Sequence, residues 1–491
     1  MIVRQPRSIV NFFQELVPVE AKYGPPHVFT VLRALVAGVV LSSESRKTLT
    51  VVGRTVFTSR RDKSNVSRLL CRRDFRSRDM HWEAVRRVLA KLAPKGPRRR
   101  DWHLALDGTA VTRGADTKIK GAIQPEKAVP RKKQRKSGAP RRKDKDKAKS
   151  SKKGRKTKYF TFLVASLTTD KGVRVPLPRH TCDPKDFKRQ SRPKNRRETQ
   201  LDLAKVLITR TLEIVPEGVH LVVTADSYYE CAKLHNLAKK LGFVLITPTD
   251  TNRCFADETT PSESNGQKIW DYGHNLSWDT FSRLDLRHGS EKTVSYRRYT
   301  TRQRGPKDRR TYWLAHEERT VAGLGTVGVV YSWKTPVYKP RRNFRERSFK
   351  VLICSDPRWT PERVVEWYEM RWTAIEILIR ELKQRLGFAD FAGDKLEAME
   401  RWIDMVLMSL LYLEMERHRI LEDARSPAAL RERAAAARTQ GMQEVIRAEA
   451  HQDLMRLIKD SVHSERKRRL LMRFFKEISQ TRDRQPHAAN A

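Results

Sequence analysis

Val219-His220-Leu221-Val222-Val223-Thr224-Ala225-Asp226 is an apolar, β-branched run that stops at a carboxylate. Its length and composition read as a buried strand. The flanks extend that reading outward. Arg196 to Thr211 before it and Tyr229 to Leu241 after it repeat apolar residues at helical spacing, and Phe243 to Thr247 is another short strand. Further upstream, His103 to Leu106 leads into Asp107, Lys158 to Leu167 is β-rich, and Gly172 to Leu177 follows a Thr-Asp-Lys-Gly turn. The succession β-β-β-α-β-α-β predicts an α/β fold, a mixed sheet with flanking helices whose ligand site lies outside the carboxyl ends of the strands.

On either side of this core the pattern changes. Residues 1–95 read as short helices (His27 to Leu41, Arg46 to Arg54, Ser64 to Arg73, Trp82 to Leu92) joined by basic turns. A helix-turn-helix-like DNA-binding domain fits them, with Arg60, Arg61, Lys63, Arg68, Arg72 and Arg73 available for phosphates; solvated charge on an ordinary helical bundle is the plainer alternative. Pro94 to Arg100 is a linker, and 101–248 is the first part of the core. Within it, 127–157 is about half Lys and Arg with almost no apolar content, the composition of a disordered insertion. Residues 249–347 alternate as an antiparallel β-rich subdomain does (Thr293 to Thr300, Thr311 to His316, Thr320 to Trp333). The core resumes over 348–388: Val351 to Ser355 returns to the sheet, and Thr360 with Pro361 after it opens a helix running to about Leu386. In the helical C-terminal region, 389–491, Leu396 to Met415 is apolar on most sides and reads as buried, while Ala428 to Phe475 reads as exposed helices.

Among the 491 residues, 102 Lys and Arg stand against 57 Asp and Glu, a formal charge of +45 that calls for a polyanionic partner. With 38% hydrophobic residues the chain can fill the cores of more than one domain, which excludes a wholly disordered basic protein. The uncharged stretch Met405 to Leu413 falls well short of the ~20 apolar residues of a membrane span, and no secretory leader is apparent. Five cysteines without a C-x-x-C pair argue against a disulfide framework or a cysteine zinc site. A cytoplasmic protein bound to the nucleoid is the expectation.

In so basic a chain, acids at the ends of apolar strands need a reason. Asp107 follows Leu104-Ala105-Leu106, and Asp226 follows Val222 to Ala225. Taken singly, each is an ordinary turn-starter. Together, on neighbouring strands, two carboxylates can share divalent cations, and a third from a helix would complete a two-metal phosphoryl-transfer site. The helix offers Tyr368-Glu369-Met370-Arg371-Trp372-Thr373-Ala374-Ile375-Glu376, then Lys383 two turns on. Here the sequence resembles the DDE transposases of bacterial insertion sequences, in the superfamily with a Tyr-Arg-Glu-Lys signature. Leu-Asp-Gly-Thr at 106–109, Ala-Asp-Ser-x-Tyr at 225–229, Gly242 to Arg253, and Arg-Trp-x-x-Ile-Glu running into Glu381-Leu382-Lys383-Gln384 carry the resemblance.

The resemblance implies an RNase H-like core, metal-dependent cleavage at transposon ends and strand transfer into target DNA. Asp107, Asp226 and Glu376 would hold two Mg²⁺ or Mn²⁺ ions; Tyr368, Arg371, Lys383 and Arg253 would bind DNA, and a homodimer on duplex DNA is the expected assembly. A non-catalytic DNA-binding descendant and a metal-dependent nuclease without strand transfer are the alternatives. One departure matters: the family pattern has three residues between Arg and Glu, whereas four intervene here. On a regular helix, Tyr368 and Arg371 then face away from Glu376 and Lys383. The spacing predicts a π-bulge between Arg371 and Glu376, failing which those two roles lapse. Trp270, Trp313 and Trp333 read as core residues more readily than as base-stacking platforms.

Deleting 127–157 is expected to weaken DNA binding across all sequences and to flatten its salt dependence, by about 0.9 in log–log slope for each phosphate no longer neutralised. The check is an anisotropy titration of duplex DNA at several salt concentrations; an unchanged slope denies the segment this role.

Overall fold

The computed structural model describes residues 6–18, 20–24, 26–44, 46–49, 51–52, 60–94, 96, 99–113, 158–182, 199–287, 309–334, 349–391, 393, 395–422, 439–462, 464–465, 469 and 472. The 127–157 insertion and the predicted strand Thr293 to Thr300 lie outside them. Helices α1 (Arg7–Glu15), α2 (Pro26–Leu41), α3 (Arg60–Cys71) and α4 (Ser77–Leu92) come first. The α3 helix starts at Arg60, ahead of the Ser64 suggested by capping chemistry.

Strands β1 (Arg100–Arg113), β2 (Lys158–Thr168), β3 (Arg174–Pro176) and β4 (His180–Thr181) follow. Then come α5 (Gln200–Ile214), β5 (Val219–Thr224), α6 (Ala232–Leu241) and β6 (Val244–Pro248). Thr199 and Asp202 close a reciprocal capping box at the start of α5, which fixes where that helix begins. Tyr229, expected to open a helix, sits instead in a 3₁₀ turn, Ser227–Tyr229, that Asp226 caps.

The chain continues through β7 (Cys254–Ala256), β8 (Ser264–Lys268), α7 (Ile269–His274), β9 (Ser282–Arg287), β10 (Arg309–Val321), β11 (Gly325–Trp333) and β12 (Phe349–Cys354). Among the described residues, twelve strands join in one mixed sheet with the order β3-β2-β1-β5-β6-β12-β11-β10-β7-β8; β4 pairs with β2 and β9 with β10. The β1–β2 and β2–β3 ladders are antiparallel, whereas β1–β5 and β5–β6 are parallel. Thus β12, β11 and β10 extend the core sheet edge to edge beyond β6, and their antiparallel pairing agrees with the alternation in their sequence.

The last helices are α8 (Pro361–Arg371), a π-helical turn (Trp372–Glu376), α9 (Ile377–Arg385), α10 (Leu396–Glu422) and α11 (Thr439–Val462). Leu396 to Met415 is buried almost throughout because α10 packs against α2, α3, α4 and β3 together. Helices α1 to α4 therefore share one apolar core with β1 to β5 and α10. The α11 helix departs from the expectation of exposed helices, since Met442 and Ile446 enter that same core. No described helix is long and apolar enough to cross a membrane.

Two ionic clusters rivet α10 to the sheet side. Buried Arg179 pairs with Asp404 at 3.3 Å and Glu400 at 3.2 Å, and Ser77 donates to Asp404 at 2.6 Å. Buried Arg174 pairs with Glu414 at 2.6 Å and Glu381 at 3.0 Å. A buried charge deprived of its partner costs several kcal/mol, so loss of the carboxylates around either arginine would be strongly destabilising.

On α6, His235 is fully buried and neither ring nitrogen has a hydrogen-bond partner among the described residues; burial lowers its pKa to about 3. The imidazole is therefore neutral when folded, while the unfolded chain takes up a proton below about pH 6.5. Stability is lost as pH falls from 6.5 toward 3. Replacing His235→Leu should raise stability more at pH 5 than at pH 7, by roughly 2 kcal/mol between the two. Urea midpoints at both pH values check this, and an equal shift at both refutes it.

Candidate active site

Asp107 is not at the end of its strand, as its sequence context suggested. The β1–β2 ladder carries β1 on through Asp107↔Val164 to Arg113↔Lys158. What stops near Asp107 is the parallel partner: β1 and β5 last pair at Ala105↔Thr224. Asp107 and Asp226 each stand two residues past that pair, and the two-residue period of a strand points them to one face. Gly108 then lets α5 come close, because a Cβ there would lie 2.3 Å from the Gln200 side-chain nitrogen. Gln200 in turn donates to the Tyr229 hydroxyl at 2.5 Å.

The third acid arrives from the same face. Trp367 of α8 packs edge-on against His103 of β1, ring centroids 5.6 Å apart, which brings the helix over the strand that carries Asp107. At the end of α8 the ladder loosens into the π turn, where the Ile377 amide donates to Trp372, five residues back. Thr373 Oγ1 donates to the Met370 carbonyl at 3.0 Å, and Arg174 Nη1 donates to the Thr373 carbonyl at 3.4 Å. These side chains satisfy carbonyls around the turn and make the irregular ladder tolerable.

The extra residue turns Arg371 back toward the acids. Its guanidinium lies between two of them, Nη2 at 2.9 Å from Asp107 Oδ2 and Nη1 at 2.8 Å from Glu376 Oε1. Arg371 is 7% exposed, and its Nε has no hydrogen-bond partner among the described residues. Burial pushes the Asp107 carboxyl above its ordinary pKa; Arg371 opposes that shift, and the neighbouring charges of Asp226 and Glu376 add to it. Asp226 accepts from the Tyr228 amide at 3.0 Å. Burial raises the Tyr368 hydroxyl to about 12, with the charges of Arg371, Glu369, Glu376 and Asp226 all acting on it. Burial lowers the Lys383 ammonium, and the Asp107 charge partly restores it. Asp107, Asp226, Glu376, Tyr368, Arg371 and Lys383 thus share one electrostatic neighbourhood.

The remaining candidates lie elsewhere. Arg253 is tied internally, to Glu230 Oε1 at 3.2 Å and to the Glu230 carbonyl at 3.2 Å. Arg68 and Arg73 are exposed near the end of α3, and Arg72 forks onto Asp74 at 2.6 and 2.9 Å. Trp270, Trp313 and Trp333 pack against the core of the β10–β12 region. Arg174 went unnoticed in the sequence, although an arginine between two valines of an apolar strand is a signal worth reading.

The donor type suits a hard cation, since Asp107, Asp226 and Glu376 are carboxylates carried by three different elements. Among the described residues, however, no three His, Cys, Asp or Glu side chains are close enough to hold one ion together. The Arg371 guanidinium stands where positive charge is needed, between Asp107 and Glu376.

No protein-family model matches the chain, and no curated protein does. Among solved structures, a piggyBac transposase in a synaptic complex with hairpin DNA matches at 10% identity with a TM-score of 0.35, over 91% of this chain and 78% of that one.

Deleting Ala374 should restore an unbroken i→i−4 ladder, leave Arg371 paired with Glu376 at i,i+4 spacing, and change stability by no more than about 1 kcal/mol. Structure determination and urea unfolding of the variant check this. Loss of the Arg371–Glu376 pair in a folded variant would show that the bridge depends on the π turn alone.

Proposed function

We propose that this chain is a DDE transposase with an RNase H-like core, cleaving duplex DNA at transposon ends and joining the freed end to target DNA. The observation that carries the reading is the Arg371 bridge, an arginine held by a π turn across two acids from distant parts of the sequence. The order β3-β2-β1-β5-β6, with β2 antiparallel and β1, β5 and β6 parallel, supports an RNase H-like core. The charge of +45 supports DNA as the partner. A bacterial insertion-sequence origin, action as a homodimer and a place on the nucleoid belong to the same proposal.

In this reading Asp107, Asp226 and Glu376 would hold two Mg²⁺ or Mn²⁺ ions, which would supply a nucleophile at neutral pH and positive charge for the phosphoryl transfer. Arg371 pairs with Asp107 and Glu376 and holds the two carboxylates close to each other before DNA arrives. Freed from them, its planar fork suits a phosphodiester. Lys383 and Tyr368 line the approach, the ammonium as a point charge for a phosphate and the half-buried phenol as a neutral donor.

Asp107→Asn and Asp226→Asn are each expected to lower Mg²⁺-dependent cleavage at least ~10³-fold while leaving duplex affinity near that of the unmodified protein. The assay incubates candidate element ends, a target plasmid and Mg²⁺, and scores cleaved and joined products separately. Cleavage without joining identifies a nuclease. Full cleavage by Asp226→Asn removes the catalytic assignment.

A further inference from the structure

The opposite end of the same strands holds a cleft of about 820 Å³. It opens at the amino ends of β1 and β5, about 20 Å from Asp107, because Asp101 precedes Asp107 by six residues at ~3.3 Å each. Its lining includes Arg99, Lys239, Arg358 and Arg363 against Asp101 and Asp356, four cations to two anions.

Both anions are already committed. Asp101 accepts from His220 Nδ1 at 2.9 Å and from Arg363 at 2.6 Å; burial opposes its ionisation, yet these two partners hold its pKa below the ordinary value. Asp356 pairs with Arg358 at 3.0 Å, and that bond likewise holds it low. The Arg363 guanidinium carbon lies over the Trp359 indole, 3.8 Å from the ring centroid, so part of the cleft wall is a cation–π pair. The surplus positive charge falls on Arg99, which is exposed, and on Lys239, whose ammonium donates to the Leu324 carbonyl at 3.2 Å. Arg358 keeps 86% of its side chain exposed despite its partner. Cations spread around an open cleft, with the local acids already paired, suit a phosphodiester backbone better than a carboxylate-bearing peptide, because its charges repeat at regular spacing and can meet several cations at once.

We infer that this cleft is a second DNA-backbone site, gripping phosphates at the end of the sheet remote from Asp107 and Asp226. The inference rests on DNA being the partner of this chain, but not on catalysis.

The test uses the full chain, a 30-bp duplex of arbitrary sequence, and inorganic pyrophosphate as the small phosphate probe. Lysine acetylation read by mass spectrometry reports on the cleft directly: duplex should slow modification of Lys239 several-fold. In anisotropy titrations, Arg99→Ala/Lys239→Ala should flatten the salt slope by about 1.8, two phosphates at about 0.9 each, while the equal charge loss in Lys268→Ala/Lys395→Ala changes it less. Equal effects of the two pairs, or no protection of Lys239 by duplex, overturn the inference. Protection by pyrophosphate but not by duplex also overturns it and assigns the cleft to a small phosphate ester. These readouts need no cleavage, so they stand whether or not the catalytic proposal does.

Discussion

Three acids drawn together on one face of a sheet repel one another, and the repulsion grows as water is excluded. Everything around Asp107, Asp226 and Glu376 is arranged about that constraint. A guanidinium between Asp107 and Glu376 relieves it, and with four residues between Arg371 and Glu376 it is the irregular turn that brings the guanidinium there. The turn is held from outside by Arg174, whose other donors engage Glu381 of α9 and Glu414 of α10. A single buried arginine on β3 thus links the acids' geometry to the longest helix, and through it to the N-terminal helices.

Much of this could be read from residues alone, for identifiable reasons. Buried strands with Val and Ile declare themselves, and Thr360-Pro361 marks a helix start whose cap the structure contains, Thr360 accepting from Arg363. The π turn followed from counting, since one residue too many on a helix face has few physical remedies. What failed was whatever depends on a partner strand or a distant helix. Asp107 looked terminal because the apolar run ends there, but β2, beginning 51 residues later at Lys158, pairs with β1 past it. The first turns of α11 looked solvated because their contacts, with α2, α9 and α10, are remote in sequence.

Arg253 illustrates a different limit. A basic residue in a basic chain invites a nucleic-acid role, yet the buried carboxylate of Glu230 holds this one, together with the Ala322 carbonyl at 3.5 Å. Charge composition argues for a polyanionic partner of the whole chain; it does not say which cations remain available once internal acids are served. At the remote cleft the same accounting leaves cations in surplus.

The continuity of the sheet has a geometric outcome. From β5 to β10 the path crosses β6, β12 and β11, four strand-to-strand steps in one hydrogen-bonded ladder. Each step turns the strand direction by about 20–25°, so the total approaches a right angle. With twist of that average size, β10 is expected to run steeply across β5 and not in line with it. Backbone pairing links every described step of the path, so the angle between the two regions is set by the sheet itself before any side chain contributes.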